Sequence, residues 1–130
     1  MADVNRPLRL TVPASSAWVV LVRTTAVAVC ARLDYDVDTL EDVRLAVDEV
    51  ATLLVGDAVE GTDLQCELLP GADASLSVSL TARTRSAALP PADSFAWAVL
   101  SALVDEVETA VDGDVVSVVL RTSRRDRVEA

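Results

Sequence analysis

The stretch Asp38-Thr39-Leu40-Glu41-Asp42-Val43-Arg44-Leu45-Ala46-Val47-Asp48-Glu49-Val50 decides the architecture of this chain, because its apolar residues recur every three or four positions. The stripe of Leu40, Val43, Val47 and Val50 continues to Leu54, with Ala46 and Leu53 beside it, and Gly56 follows as a stop. Residues at that spacing stack on one side of an α-helix, so this segment has one face to bury. Asp38 with Glu41 three positions later is a capping-box arrangement with Asp in place of Ser or Thr, which predicts the helix start at Asp38. The acidic block of Asp34, Asp36, Asp38, Glu41 and Asp42 suits the positive end of the helix dipole and requires no ligand.

Upstream, Leu8, Leu10 and Val12 alternate with Arg9 and Thr11, the two-residue period of a half-buried strand, and Pro13 ends it. From Ser15 or Ser16 an apolar run passes Trp18, Leu21, Val22, Thr25 and Val29 to Leu33 at helical spacing, in spite of many β-branched residues. Downstream, Leu64, Cys66 and Leu68 alternate with Gln65 and Glu67, Pro70-Gly71 turns, and Leu76, Val78 and Leu80 alternate with Ser75, Ser77, Ser79 and Thr81. This predicts a hairpin with one apolar face and one polar face. Pro90-Pro91 marks a loop, after which Asp93 or Ser94 caps a third helix carrying Phe95, Val99, Leu100, Leu103, Val104 and Val107. That helix is expected to stop near Asp112-Gly113, and Val116, Val118 and Leu120 make the last strand.

A sheet with one polar face must cover the other with helices, which gives an α+β two-layer sandwich: a mostly antiparallel four-stranded sheet with three helices on one face. At 130 residues the chain has room for one domain, expected over residues 1–123, with 124–130 a charged tail that frays. The same element order also fits a ferredoxin-like sensor module, and strand order separates the two.

Composition narrows the chemistry. All eleven basic residues are arginines and there is no histidine, so lysine- and histidine-based catalysis is excluded. Cys30 and Cys66 have neither metal-site nor redox-motif spacing and are expected as small buried apolar residues. A net charge of -10 argues against nucleic-acid binding, and fits either a basic protein partner or simple solubility. No uncharged apolar run reaches the roughly 18–20 residues of a membrane span, and the N-terminus lacks a signal pattern, so a cytoplasmic protein without membrane contact is expected.

The run from Leu33 through Asp34-Tyr35-Asp36 to Asp48-Glu49-Val50 resembles the second helix of the anti-sigma serine kinases of the RsbW and SpoIIAB type, which are GHKL ATPases with the Bergerat fold. Phe95-Ala96-Trp97-Ala98-Val99-Leu100-Ser101-Ala102-Leu103-Val104-Asp105-Glu106-Val107 resembles their last helix, and the wording of both segments is similar to the actinobacterial sigma-F anti-sigma branch, the UsfX-like proteins. The resemblance implies binding of a sigma-B or sigma-F type alternative sigma factor, release by a STAS-type anti-anti-sigma antagonist, and a homodimer packed through the sheet and first strand.

The departures bear on the kinase activity. Glu49 matches the family's catalytic Glu, but the magnesium-ligating Asn four positions later is Leu53 here, which offers a hard cation no oxygen. The adenine-binding Asp-x-Gly is replaced within Thr81-Ala82-Arg83-Thr84-Arg85-Ser86, and no glycine lies between Arg83 and Ser94 to build the lid. The expectation is a degenerate kinase-like domain with the lid lost, Glu49 as a relic, no cofactor and at most weak ATP binding; an active serine/threonine kinase with atypical ATP contacts is the alternative. For partner contact the resemblance points to Arg23, at the position of a sigma-contacting arginine. Trp18 is divided evenly between interface anchor and core, and Trp97 is expected in the core.

Overall fold

The structure is a computed structural model describing residues 6–91 and 93–125. Its elements are β1 (Leu8–Pro13), a short 3-10 turn (Ser16–Trp18), α1 (Val19–Arg32), α2 (Val37–Gly56), β2 (Asp63–Pro70), a second 3-10 turn (Ala72–Ala74), β3 (Ser75–Arg83), α3 (Phe95–Leu103), β4 (Glu106–Asp112) and β5 (Val115–Ser123). The strands form one sheet in the order β1-β2-β3-β5-β4, every neighbour antiparallel. A ferredoxin-like sheet inserts another strand between the first strand and the strand that follows its helix; here β1 and β2, joined through α1 and α2, are hydrogen-bonded neighbours, so that arrangement does not apply.

Register explains why one face buries. Leu10, Cys66, Leu80 and Val118 stand opposite one another across β1, β2, β3 and β5, and Leu68, Val78 and Leu120 form the next such row. These rows pack under the helices with Val22, Ala26, Val43, Val47, Val50 and Leu54. The intervening row of Arg9, Glu67, Ser79 and Val119 lies on the outer face, where Arg9 Nε donates to Glu67 at 2.9 Å and Thr81 shares a 3.1 Å hydroxyl bond with Ser117.

Three expectations change. The sheet has five strands, because α3 ends at Leu103 and residues 106–112 pair with β5. Leu100, Val104 and Val107 fit a helical period, but Val107, Thr109 and Val111 also alternate with acidic and small residues. The open edge of β5 satisfies the backbone groups of that segment, and Gly113 at φ +62 closes the hairpin. Second, α2 is capped by Asp36 rather than Asp38: its carboxylate accepts from the Thr39 backbone N–H at 2.8 Å. Asp38 falls in the first turn, where its charge still suits the dipole. Third, α1 proper begins only at Val19, after the 3-10 turn, and Ser15 makes no side-chain capping bond. Ser94 caps α3 as expected. Trp97 is half-buried against the core, with its indole N–H donating to the Pro90 carbonyl. Of the tail, Arg124 donates to the Leu33 carbonyl and Arg125 lies 3.5 Å from Asp42; residues 126–130 lie outside the described residues.

Thr39 is 1% exposed and its hydroxyl has no hydrogen-bond partner among the described residues. Thr39→Val keeps the branched shape and removes a desolvated polar atom, so urea unfolding should show stability unchanged or raised by up to about 1 kcal/mol. Cys30 and Cys66 are free and buried, and burial pushes their thiols up from 9.0 to about 11 and about 12. Because the unfolded chain ionises its thiols first, their contribution is fully present below pH 9.0 and is lost as pH rises toward about 11 and about 12. A chromogenic disulfide reagent should label neither thiol in the native protein below about pH 9 and both in urea.

Candidate functional site

Between Val19 and Arg32 only Arg23 and Arg32 are charged, so α1 is apolar nearly all round. A helix can bury only one side against a sheet and its neighbour. Val19, Val22, Ala26, Val29 and Cys30 take that side. Trp18, Val20 and Leu21 are left 45%, 45% and 42% exposed, beside exposed Thr24 and Ala28. An apolar helix of this kind therefore leaves an uncharged strip uncovered at the surface of the chain. Trp18 is therefore on the outside, at the start of this face.

Asp34 at φ +58 reverses the chain between α1 and α2, and the two helices pack side by side. Arg23 Nη1 donates to Asp48 Oδ1 at 2.8 Å, both side chains about one-third exposed at 31% and 36%. An ion pair this exposed is worth about 0.2–1 kcal/mol, little enough for a partner to displace it. The pair bridges a groove of about 300 Å³ between the helices, walled also by Val19, Val20, Thr52 and Val55. Leu45, 42% exposed, lies one α2 turn before Asp48. The structure thus brings Trp18 and Arg23 to one end of the helical hairpin. Glu49 is half-buried on α2 next to Asp48, whose carboxylate is engaged by Arg23.

Leu53 follows Glu49 by one turn and is half-buried. The chain after β3 is stitched onto the end of α2 beside it: Arg85 N–H donates to the Asp57 carbonyl at 2.7 Å and Arg85 Nη2 to the Gly56 carbonyl at 3.0 Å. Ser86 donates to the Asp57 carboxylate from its backbone N–H at 3.2 Å and also from its hydroxyl. The Ser86 hydroxyl, more than Arg85 nearby, holds the Asp57 carboxyl below the usual carboxylate range. Mg-ATP does not fit here. Leu53 supplies no oxygen ligand, and the polar groups of the 84–86 segment bond to protein. Among the described residues no group of three or more His, Cys, Asp or Glu is placed to hold a metal ion, and no helix is long and apolar enough to cross a membrane.

Two features went unread in the sequence. One is the outer face of α1 at Val20 and Leu21, whose signal was present as a 14-residue helix with charges only at Arg23 and Arg32. The other is the Asp57–Ser86 and Gly56–Arg85 stitching, for which no local signal exists, since the partners lie 29 positions apart.

No protein-family model matches the chain. The anti-sigma-F factor RsbW of Mycobacterium tuberculosis, in strains CDC 1551 and H37Rv alike, is 37% identical over 109 residues, which cover 83% of this chain and 64% of the relative. The serine-protein kinase RsbW of Halalkalibacterium halodurans is 39% identical over 59 residues, 44% of this chain and 36% of that protein. This chain therefore spans less than two-thirds of the length of these relatives. The crystal structure of the RsbU and RsbW domains of Rv1364c from Mycobacterium tuberculosis superposes with a TM-score of 0.75 at 19% identity, over 95% of this chain and 34% of that one, a likeness of fold.

Proposed function

The chain belongs to the RsbW/SpoIIAB family, and from that premise we propose that it is an anti-sigma factor which sequesters an alternative sigma factor of the sigma-B or sigma-F type by protein–protein binding. The observation that carries this is the uncharged outer face of α1, where Trp18, Val20 and Leu21 stand exposed beside Arg23. Aromatic and arginine side chains of this kind anchor interfaces, and an apolar face rimmed by polar residues needs a partner to cover it. The two Mycobacterium tuberculosis relatives carry the anti-sigma name.

In this proposal switching does not run through phosphoryl transfer, a reading supported by Leu53 at the position the resemblance gives to the magnesium-ligating Asn. Release comes from competition by an anti-anti-sigma antagonist of the STAS type, and the protein works in the cytoplasm without direct contact to nucleic acid or membrane. A homodimer is part of the same proposal; β1 is an edge strand with Leu8 45% exposed, which supports pairing on that side.

Calorimetric titration against the sigma factors of the chain's own genome, with and without Mg-ATP, tests it. Tight binding to one of them with an unchanged affinity in Mg-ATP is the expected result. Failure to bind any sigma factor overturns the proposal, and Mg-ATP-dependent phosphate transfer to an antagonist overturns the loss of kinase chemistry.

A further inference from the structure

The two edges of the sheet are unlike. β1 carries Arg9 and no acidic residue. β4, at the opposite edge, has β5 as its one strand neighbour among the described residues, and all of it except Val107 is exposed. Every second residue of an edge strand points its backbone N–H and C=O away from the sheet, a template for one more strand.

The pairing with β5 sorts the β4 side chains into two rows. Val107, Thr109 and Val111 stand beside Leu120, Val118 and Val116, which are buried, so this row is on the helix side. Val107 packs against the core, whereas Thr109 is exposed and Val111 is 48% exposed, so the helical layer leaves the second half of the strand uncovered. Glu106, Glu108 and Asp112 fall in the other row with Ala110. Among the described residues one guanidinium serves this acidic row: Arg121 Nη1 lies 3.6 Å from Glu106 and 2.8 Å from Glu108, whose side chains are 64% and 62% exposed.

These rows define the strand that fits. A second copy does not. In antiparallel self-pairing, a centre at Glu108, Thr109 or Ala110 sets Glu108 against itself, Glu106 against Asp112, or Glu108 against Asp112, and like charges directly opposite destabilise a sheet. A segment with Lys or Arg at alternate positions meets the acidic row, and β-branched residues between them extend the row of Val107, Thr109 and Val111. We propose that the free edge of β4 adds a strand from a basic partner, an extended segment in which cationic and β-branched apolar residues alternate. Backbone bonds supply the attachment and the acidic row supplies the selection. The edge lies across the sheet from β1 and apart from the α1 face, so the proposal goes beyond sigma-factor binding and stands or fails without it.

The test is a titration of the ¹⁵N-labelled full chain with a blocked eight-residue peptide alternating lysine and valine, read by amide cross-peaks and amide exchange. Saturable shifts and slowed exchange are expected over β4, with β1 unmoved. A peptide of the same composition with its lysines and valines in two blocks should bind about tenfold more weakly, because it keeps the charge and loses the match to the pleat. Glu108→Lys combined with Asp112→Lys, at exposed positions, should keep the wild-type circular dichroism. That variant should bind the lysine–valine peptide about tenfold more weakly and take an alternating glutamate–valine peptide in its place. Absence of saturable shifts, equal affinity for the block peptide, equal shifts at β1, or undiminished binding in the charge-reversed variant would each overturn the proposal. Dimers whose β4 amides are protected without peptide would overturn the basic class and assign the edge to a second copy.

Discussion

Leu80→Ala is expected to lower the unfolding free energy by about 3 kcal/mol, the middle of the range for a leucine truncated in a closed core. Leu80 is 0% exposed at the centre of β3, opposite Cys66 on one side and Val118 on the other, with α2 packed over the strand. Both cross-strand neighbours are held in backbone ladders, so the space left by the side chain cannot close by collapse. Urea unfolding should show a lower midpoint with an unchanged slope, because the surface exposed on unfolding stays the same. Leu45→Ala, at a leucine 42% exposed on α2, should cost no more than about 0.5 kcal/mol. Similar losses in the two variants would mean that the core does not lie where the register puts it.

Trp18→Ala should weaken sigma-factor binding by about 30-fold, or about 2 kcal/mol, while leaving the unfolding midpoint near wild type. Trp18 lies outside the buried core, so its truncation removes interface area and not packing. Arg23→Ala should act more weakly, by about fivefold, because in the free protein Arg23 already bonds Asp48 and a partner gains only the difference between the two contacts. Asp48→Asn separates the explanations: it releases Arg23, and should strengthen binding if the partner presents a carboxylate to it. Calorimetry on the three variants reads this directly. Loss of binding in Arg23→Ala with none in Trp18→Ala would replace the apolar anchor by an electrostatic one.

The legible parts of the fold were those whose period admits one structure. Leu40, Val43, Val47, Val50 and Leu54 fit a helix and no strand. The serine alternation of β3 against Leu76, Val78 and Leu80 fits a half-buried strand and no helix. Leu53 was legible as an apolar side chain at the position the resemblance gives to a magnesium-ligating Asn. Arg23 and Trp18 were legible as positions, but their surroundings were not. The Asp48 bond to Arg23 and the exposure of Trp18 follow from how α1 and α2 pack.

Local composition and spacing by themselves therefore determined α2, the β2–β3 hairpin and the polar and apolar faces of the sheet, because each follows from side-chain chemistry along a few consecutive turns or pleats. Only the tertiary structure decided that residues 106–112 are a fifth strand, that Asp36 is the cap, that α1 keeps an apolar face outward and that Ser86 and Arg85 close onto the end of α2. In each of those cases two local conformations or exposures satisfy the same residues. The choice falls to a partner distant in the chain: the open edge of β5, the turn after α1, the area of sheet left to cover, and the carboxylate of Asp57.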